Sequence, residues 1–501
     1  MKNLYKLIIA ICVFSIVGIQ INAQNLHLPS FFSDNMVLQQ NSSVAVWGRD
    51  KPNQKISIKA SWGKKAQTRS DKNGNWKAYI TTTPTHCLKH TLTIKGSSKI
   101  TFHNVLLGEV WFCSGQSNMV LTMNGSDVLG QFIEGANDAF IHASDYPMLR
   151  IYKSPQICSD TLCSDIPNTS WQLSTAENIK DFSALAYFYG RKLQSTLKVP
   201  VGMIVSAWGG AGVEAFINDE TMSHFKNYSI YDDNPVNKAD NHVPSGIYRG
   251  MIHPFVGYSI KGFLWYQGEN NRPHPKEYKE LFPAMVKQWR SEWAGSNGEK
   301  LPFYYVQIAP LSEKFQKGNS AYLREAQMES LNIIPNSGMV TTNDIGFKNC
   351  IHPFKKKEVA DRLALLAFKN VYGYEYLIAQ APIYREFKVL NDDKALTNKY
   401  GEGGKVQVYF DFAEKGLTSY NEEIRNFEMA GPDRKFYPAK AVAVRRTSSV
   451  IVTCDKVSEP VAVRYCFKCW CVGNLYNTAG LPASSFRTDR WKDDNDSWSY
   501  N

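Results

Sequence analysis

Ser117 stands in Gly115-Gln116-Ser117-Asn118, directly after the apolar run Val105 to Trp111 and its extension to Cys113. A serine on a tight strand-to-helix turn exposes its hydroxyl and aims backbone N–H groups at a developing oxyanion, which is the setting of a nucleophile. Met119 replaces the second glycine of a G-x-S-x-G elbow, so the α/β-hydrolase signature is not met. A base must come from elsewhere, and His352 in Cys350-Ile351-His352-Pro353 is the best placed, because Pro353 biases it away from helical geometry. His253-Pro254 is its nearest rival. Trp208-Gly209-Gly210 leaves room for a backbone N–H beside a substrate. Gln267-Gly268-Glu269-Asn270 carries a side chain that could donate to an oxyanion. Each has a plain structural alternative: a helix cap for Ser117, a cap or packing residue for His352, a turn and a polar loop for the other two.

These residues need a scaffold that brings separate strand ends together. Val201 to Ser206, Ile260 to Trp265 and Phe303 to Ile308 read as apolar strands, the first two ending in the glycine-rich or polar tips just named. Helical patterns cover Ala184 to Leu197, Pro275 to Trp293 and Lys356 to Phe368. Strands alternating with helices predict a parallel sheet covered on both faces, with ligands at the strand carboxyl ends. Earlier, Val44 to Gly48, Lys55 to Ala60, Trp76 to Ile80 and Thr91 to Lys95 alternate with period two and predict a β-sandwich. Lys405 to Phe412, Ala441 to Arg446, Val450 to Cys454 and Val461 to Cys466 predict further strands near the end. The expected organisation is a leader over 1–23, an N-terminal β-sandwich domain over 24–103, an esterase-type α/β domain over 104–372 and a C-terminal β domain over 373–501.

The 501 residues suit two to four domains by the ordinary scale of about 100–200 residues each. Charged residues are 21% and the hydrophobic set 43%, which excludes a disordered or collagen-like chain. Net charge is +11, spread without a basic arm interleaved with aromatics, which argues against nucleic acid. Lys2 followed by the apolar run Leu7 to Ile19 reads as a secretory signal ending near Ala23. That run is too short to span a bilayer comfortably and no other window is longer, so no membrane span is expected. Removal of the leader takes Cys12 from the 10 cysteines. The odd remainder suggests disulfides or buried thiols, Cys158 and Cys163 being close enough in sequence to bridge. Cys466, Cys469 and Cys471 near Cys454 make a weak zinc pattern.

Together the motifs resemble a family. Gly108-Glu109-Val110-Trp111-Phe112-Cys113-Ser114-Gly115-Gln116-Ser117-Asn118-Met119, then Ser206-Ala207-Trp208-Gly209-Gly210 with Glu214, are similar to the first blocks of the sialate O-acetylesterases. Trp265-Tyr266-Gln267-Gly268-Glu269-Asn270-Asn271 and Ile351-His352-Pro353 with Lys356 and Ala360-Asp361-Arg362-Leu363-Ala364 resemble the later ones. Asp34-Asn35-Met36-Val37-Leu38-Gln39 and Asn474-Leu475-Tyr476-Asn477 extend the resemblance to both ends. It implies an SGNH-type hydrolase with a flavodoxin-like three-layer α/β/α core. Ser117 is then the nucleophile, His352 the base, and the N–H groups of Ser117 and Gly210 (or Gly209) with the Gln267 side chain the oxyanion donors. Gln116, Asn118, Gly209, Glu269, Asn270 and Arg324 are implied as substrate-binding or supporting residues. The implied reaction removes O-acetyl groups from sialic acids through an acetyl-enzyme, with no metal or organic cofactor. Acetylated xylan or another glycan is the alternative substrate, and a silent glycan-binding protein the alternative class. A sialic acid should meet a cation, and Arg249, Arg272 and Arg324 are candidates. Many SGNH enzymes carry an Asp two or three residues before the histidine. Cys350 and Asn349 occupy those places, leaving a backbone carbonyl, Asn349 or a distant carboxylate such as Asp344 to orient His352.

Overall fold

The computed structural model describes residues 25–126, 130–228, 240–315, 319–391 and 394–491. The leader expected over 1–23 lies outside the described residues, as does most of the polar tail. Among the described residues no helix is long and apolar enough to cross a membrane.

The central strands are β1 (Lys99–Gly115), β2 (Leu149–Lys153), β3 (Val201–Ala207), β4 (Gly262–Tyr266), β5 (Phe303–Val306) and β6 (Ser337–Val340). They lie in the order β6-β5-β4-β1-β3-β2 with every neighbouring pair parallel. The short antiparallel strand Gln172–Leu173 at the β2 edge makes the sheet mixed. Every residue of β3, β4 and β5 is buried, as expected for parallel strands covered on both faces. The chain builds β2 and β3 to one side of β1, then crosses to build β4, β5 and β6 on the other. Order therefore reverses beside β1, where a crevice opens at the carboxyl ends.

The helices that position the site and cover the sheet include α1 (Ser117–Val120), α2 (Ala184–Leu197), α3 (Pro275–Ala294), α4 (Ser320–Ile333) and α5 (Lys356–Asn370). Alternate side chains of the strands feed two separate cores. Phe112, Phe263 and Phe303 pack with Trp289 of α3 and Leu323 of α4. Trp111, Leu264 and Tyr304 pack with Tyr189 of α2 and Leu363 of α5 on the other face. The helical pattern located α2 to the residue, and Ser183 caps it, its side chain accepting from the Ala186 N–H. It did not show α4, whose inner face buries Arg324, Gln327 and Ser330 and so breaks the apolar stripe.

β1 is 17 residues long. Its first half pairs antiparallel with His90–Lys95 and parallel with Val37–Gln39, and its second half forms the middle of the central sheet. The amino-terminal strands share a core with the α3 face of that sheet, through Phe31, Phe32 and Tyr258. Near the other end, Ile383–Leu390, Gly404–Asp411, Ser449–Cys454, Phe436–Ala443, Ile424–Ala430, Ala462–Tyr465 and Phe486–Arg487 form one antiparallel sheet in that order. It has its own core. The strand expected over Ala441 to Arg446 instead ends at Ala443, because the chain turns there and Arg446 takes a left-handed φ of 61°.

Candidate active site

The end of β1 determines where Ser117 sits. Gly115 has φ 133°, and a Cβ there would meet the Tyr266 carbonyl oxygen at 2.2 Å. Only glycine lets β1 pass so close to β4. The Gln116 N–H donates to that same carbonyl at 2.9 Å, and the chain then turns into α1 with Ser117 as its first residue. His352 arrives from the segment between β6 and α5. Its Nε2 lies 2.8 Å from Ser117 Oγ, across 235 residues of sequence. Its other ring nitrogen, Nδ1, meets the Gln131 side-chain amide. Gln131 is held by reciprocal 2.8 Å backbone bonds with Ser126. Cys350 Sγ lies 3.5 Å from both Gln131 Nε2 and the His352 backbone nitrogen.

A buried polar cluster lies behind this pair. Asn118 is fully buried, and its amide donates to Glu269 and, at 3.2 Å, to the Ile351 carbonyl next to His352. Lys356, also fully buried, donates to Asn118 Oδ1. Burial lowers the Lys356 ammonium to about 7, opposed by the nearby Glu269 carboxylate. Burial also raises Glu269. His352 is brought down to about 4, first by burial and then by the charge of Lys356. Such an imidazole is neutral near pH 7 and free to accept a proton. Gln116 Oε1 accepts from the Gly268 and Asn270 N–H groups at 3.4 and 3.2 Å, tying the ends of β1 and β4. Gln116, Asn118, Glu269 and Asn270 are thus drawn together next to Ser117, Asn118 bonded to Glu269 and Gln116 to the Asn270 N–H.

Gly209 and Gly210 follow β3, and Gly209 faces the serine; a Cβ there would lie 3.6 Å from the Ser117 Cβ. Gly210 has φ 73°. Their carbonyls are tethered from outside, Gly209 by Asn241 Nδ2 at 2.6 Å and Gly210 by His242 Nε2 at 2.9 Å. Gln267 does not fill the donor role expected of it. Its side chain is fully buried and donates to the Ala211 carbonyl at 3.0 Å and to Asn271 Oδ1 at 2.6 Å, which uses both amide hydrogens. Asn271 in turn accepts from the Val213 N–H and donates to Glu214. Gln267 therefore holds the backbone after Gly210. Gln267→Met is expected to lower kcat roughly 10- to 100-fold by letting that backbone drift, and to cost about 1–3 kcal/mol in unfolding free energy because the buried Ala211 carbonyl loses its donor; steady-state kinetics of the folded variant beside a denaturant titration checks it.

Arg324 is also reassigned. It is fully buried on α4, and its guanidinium donates to Ser320 and Ser485 hydroxyls and to the Cys466 and Lys468 carbonyls. It joins the α/β region to the C-terminal sheet and has no surface for a substrate. Arg324→Ala would leave those carbonyls unpaired, at a cost of about 3 kcal/mol in unfolding free energy. Denaturant titration reads this, with kcat/KM of the folded enzyme kept. Asp344 does not orient His352, since both its oxygens are taken by Arg362 at 2.9 and 2.7 Å. Arg249 is engaged with Asp219 and the Ser159 carbonyl. Cys158 and Cys163 are unbridged thiols. Among the described residues no three His, Cys, Asp or Glu side chains form a metal-holding group. Sequence reasoning missed Gln131, Asn241 and His242, which no spacing relates to their partners.

Comparison with known proteins identifies the family of the chain. The family model described as carbohydrate esterase, sialic acid-specific acetylesterase matches residues 107–359, which span β1 to the start of α5. The human sialate O-acetylesterase is 28% identical over 88% of this chain and 87% of its own length. The mouse sialate O-acetylesterase is 26% identical over 91% and 93%. The crystal structure of a carbohydrate acetylesterase from Xanthomonas citri superposes with a TM-score of 0.80 at 32% identity, covering 93% of this chain and all of that one. The chain belongs to the sialic acid-specific acetylesterase family of carbohydrate esterases.

Proposed function

We propose that this carbohydrate esterase removes O-acetyl groups from sialic acids through an acetyl-enzyme on Ser117, with His352 as general base. The observation that carries the reading is the 2.8 Å contact between Ser117 Oγ and the Nε2 of a histidine kept neutral by its surroundings. As Ser117 Oγ bonds to the acetyl carbon, its proton passes to His352 Nε2. The imidazolium then protonates the departing sugar oxygen. Water, deprotonated by the same nitrogen, attacks the acetyl-enzyme and releases acetate and free Ser117. The N–H groups of Ser117 and Gly210 stabilise the oxyanion. Tethering of the Gly209 and Gly210 carbonyls by Asn241 and His242 supports this, because it keeps the loop's acceptors away from the developing negative charge. The parallel sheet with helices on both faces supports an SGNH-type core, flanked by sandwich-like β regions.

Arg272 is the cation assigned to the sialic-acid carboxylate. It follows the Glu269–Asn271 turn beside Ser117, and its buried Nε has no hydrogen-bond partner. Export is assigned from Lys2 and the apolar run Leu7 to Ile19, with cleavage after Ala23; sequencing the mature amino terminus tests it. Acetate release by the protein from Gln24 onward, measured in parallel on O-acetylated sialic acid and acetylated xylan, tests the substrate. Release from the sialic acid, with KM raised by about 10-fold or more in Arg272→Met, is expected. Preference for the neutral polymer, with Arg272→Met indifferent, would overturn the substrate and keep the chemistry.

A further inference from the structure

A base that takes the Ser117 proton on Nε2 must carry its own N–H on Nδ1, so whatever faces Nδ1 has to accept a hydrogen bond. No carboxylate does so here. Asp344 is held by Arg362, and the group at Nδ1 is the neutral amide of Gln131. As placed, the amide nitrogen faces Nδ1, while Gln131 Oε1 is buried with no hydrogen-bond partner. That orientation suits the opposite tautomer, in which Nε2–H donates to Ser117 and no base is available. A half-turn of the amide exchanges two groups of nearly equal size. It brings the orphaned oxygen onto Nδ1–H, and the histidine becomes the proton acceptor the reaction needs. The end of the amide that faces the ring therefore selects the tautomer.

We infer that Gln131 is the positioning residue of His352, its Oε1 holding the Nδ1–H tautomer in place of the usual carboxylate; this rests on the Ser117–His352 reading. Two consequences separate an amide from an acid. It orients the ring without a negative charge to stabilise the imidazolium, so the histidine keeps a low proton affinity. It also leaves the charge balance to other groups around the ring. These are Lys356 on α5, whose charge acts on the ring, and Glu269 in the turn after β4, whose carboxylate acts on Lys356.

The test compares Gln131→Met and Gln131→Glu with the parent enzyme, using kcat, KM, the pH profile of kcat/KM and ¹⁵N shifts of the His352 ring. Met keeps the length and cannot accept. It is expected to lower kcat by roughly 100-fold with KM held within about twofold, and to shift the ring toward the Nε2–H form. Glu accepts only. It is expected to retain kcat above pH 8 and to raise the acid limb by about one unit or more, because its charge stabilises the imidazolium. Parental kcat in Gln131→Met, or an unmoved acid limb in Gln131→Glu, would overturn the assignment. Ser117→Ala run alongside distinguishes the two levels: retained acetate release there would sink the serine reading itself.

Discussion

Ser117→Ala is expected to lower kcat for acetate release by about 10⁴- to 10⁶-fold while substrate still binds. The size follows from what is removed. In the proposed reaction the 2.8 Å Ser117–His352 contact converts a weak hydroxyl into the nucleophile, and no other hydroxyl or thiol takes its place beside His352 Nε2 in the described network. His352→Ala should cost nearly as much, and the double variant little more than either, since two groups acting as one unit do not add. Burst-phase acetate measurements, with binding of the deacetylated sugar measured separately, would show it. A double variant far slower than both singles would mean that the two residues serve separate steps.

The second large effect is with pH. His352 must be unprotonated to act, and it is lowered from 6.5 to about 4 by burial and by Lys356. Lowering a base's proton affinity extends its active form to more acid solution. The plateau of kcat/KM should therefore run from neutrality to about pH 5 and fall by half near pH 4. At pH 4.5 an ordinary imidazole would be neutral in only about one molecule in a hundred, so most of the expected activity there comes from the surroundings of the ring. Lys356 is lowered to about 7, so it carries its charge throughout the range in which His352 titrates. Lys356→Met removes that charge, raises the proton affinity of His352 and should move the acid limb upward by about one unit. Loss of activity at all pH values without such a movement would assign Lys356 to holding Asn118 instead.

Local chemistry singled out Ser117, His352 and the Gly209-Gly210 turn as candidates, and the resemblance to the sialate O-acetylesterases implied their roles. A serine after a strand, a histidine before proline and paired glycines after a strand are all visible within a few residues. The parallel sheet was legible for a similar reason: strands buried on both faces are continuous apolar runs, and Val201–Ala207 and Gly262–Tyr266 are such runs. Where polar residues enter the core the pattern is broken. That is why the pattern does not reveal α4, which buries Arg324, a residue the sequence offers as one of three cations that a sialic acid could meet.

Roles that depend on which partner absorbs a hydrogen bond were decided by tertiary structure alone. Gln267 has the right chemistry for an oxyanion donor, but its amide is consumed by Ala211 and Asn271. Asp344 has the charge to orient a histidine, but Arg362 holds both its oxygens. Gln131, which does face His352, stands 221 residues away from it and carries no local mark of that use. Residue type and spacing along the chain settle which groups can react. The pairing of donors with acceptors is settled in three dimensions, because leaving a buried polar group unpaired is costly and the nearest partner in space is seldom near in sequence.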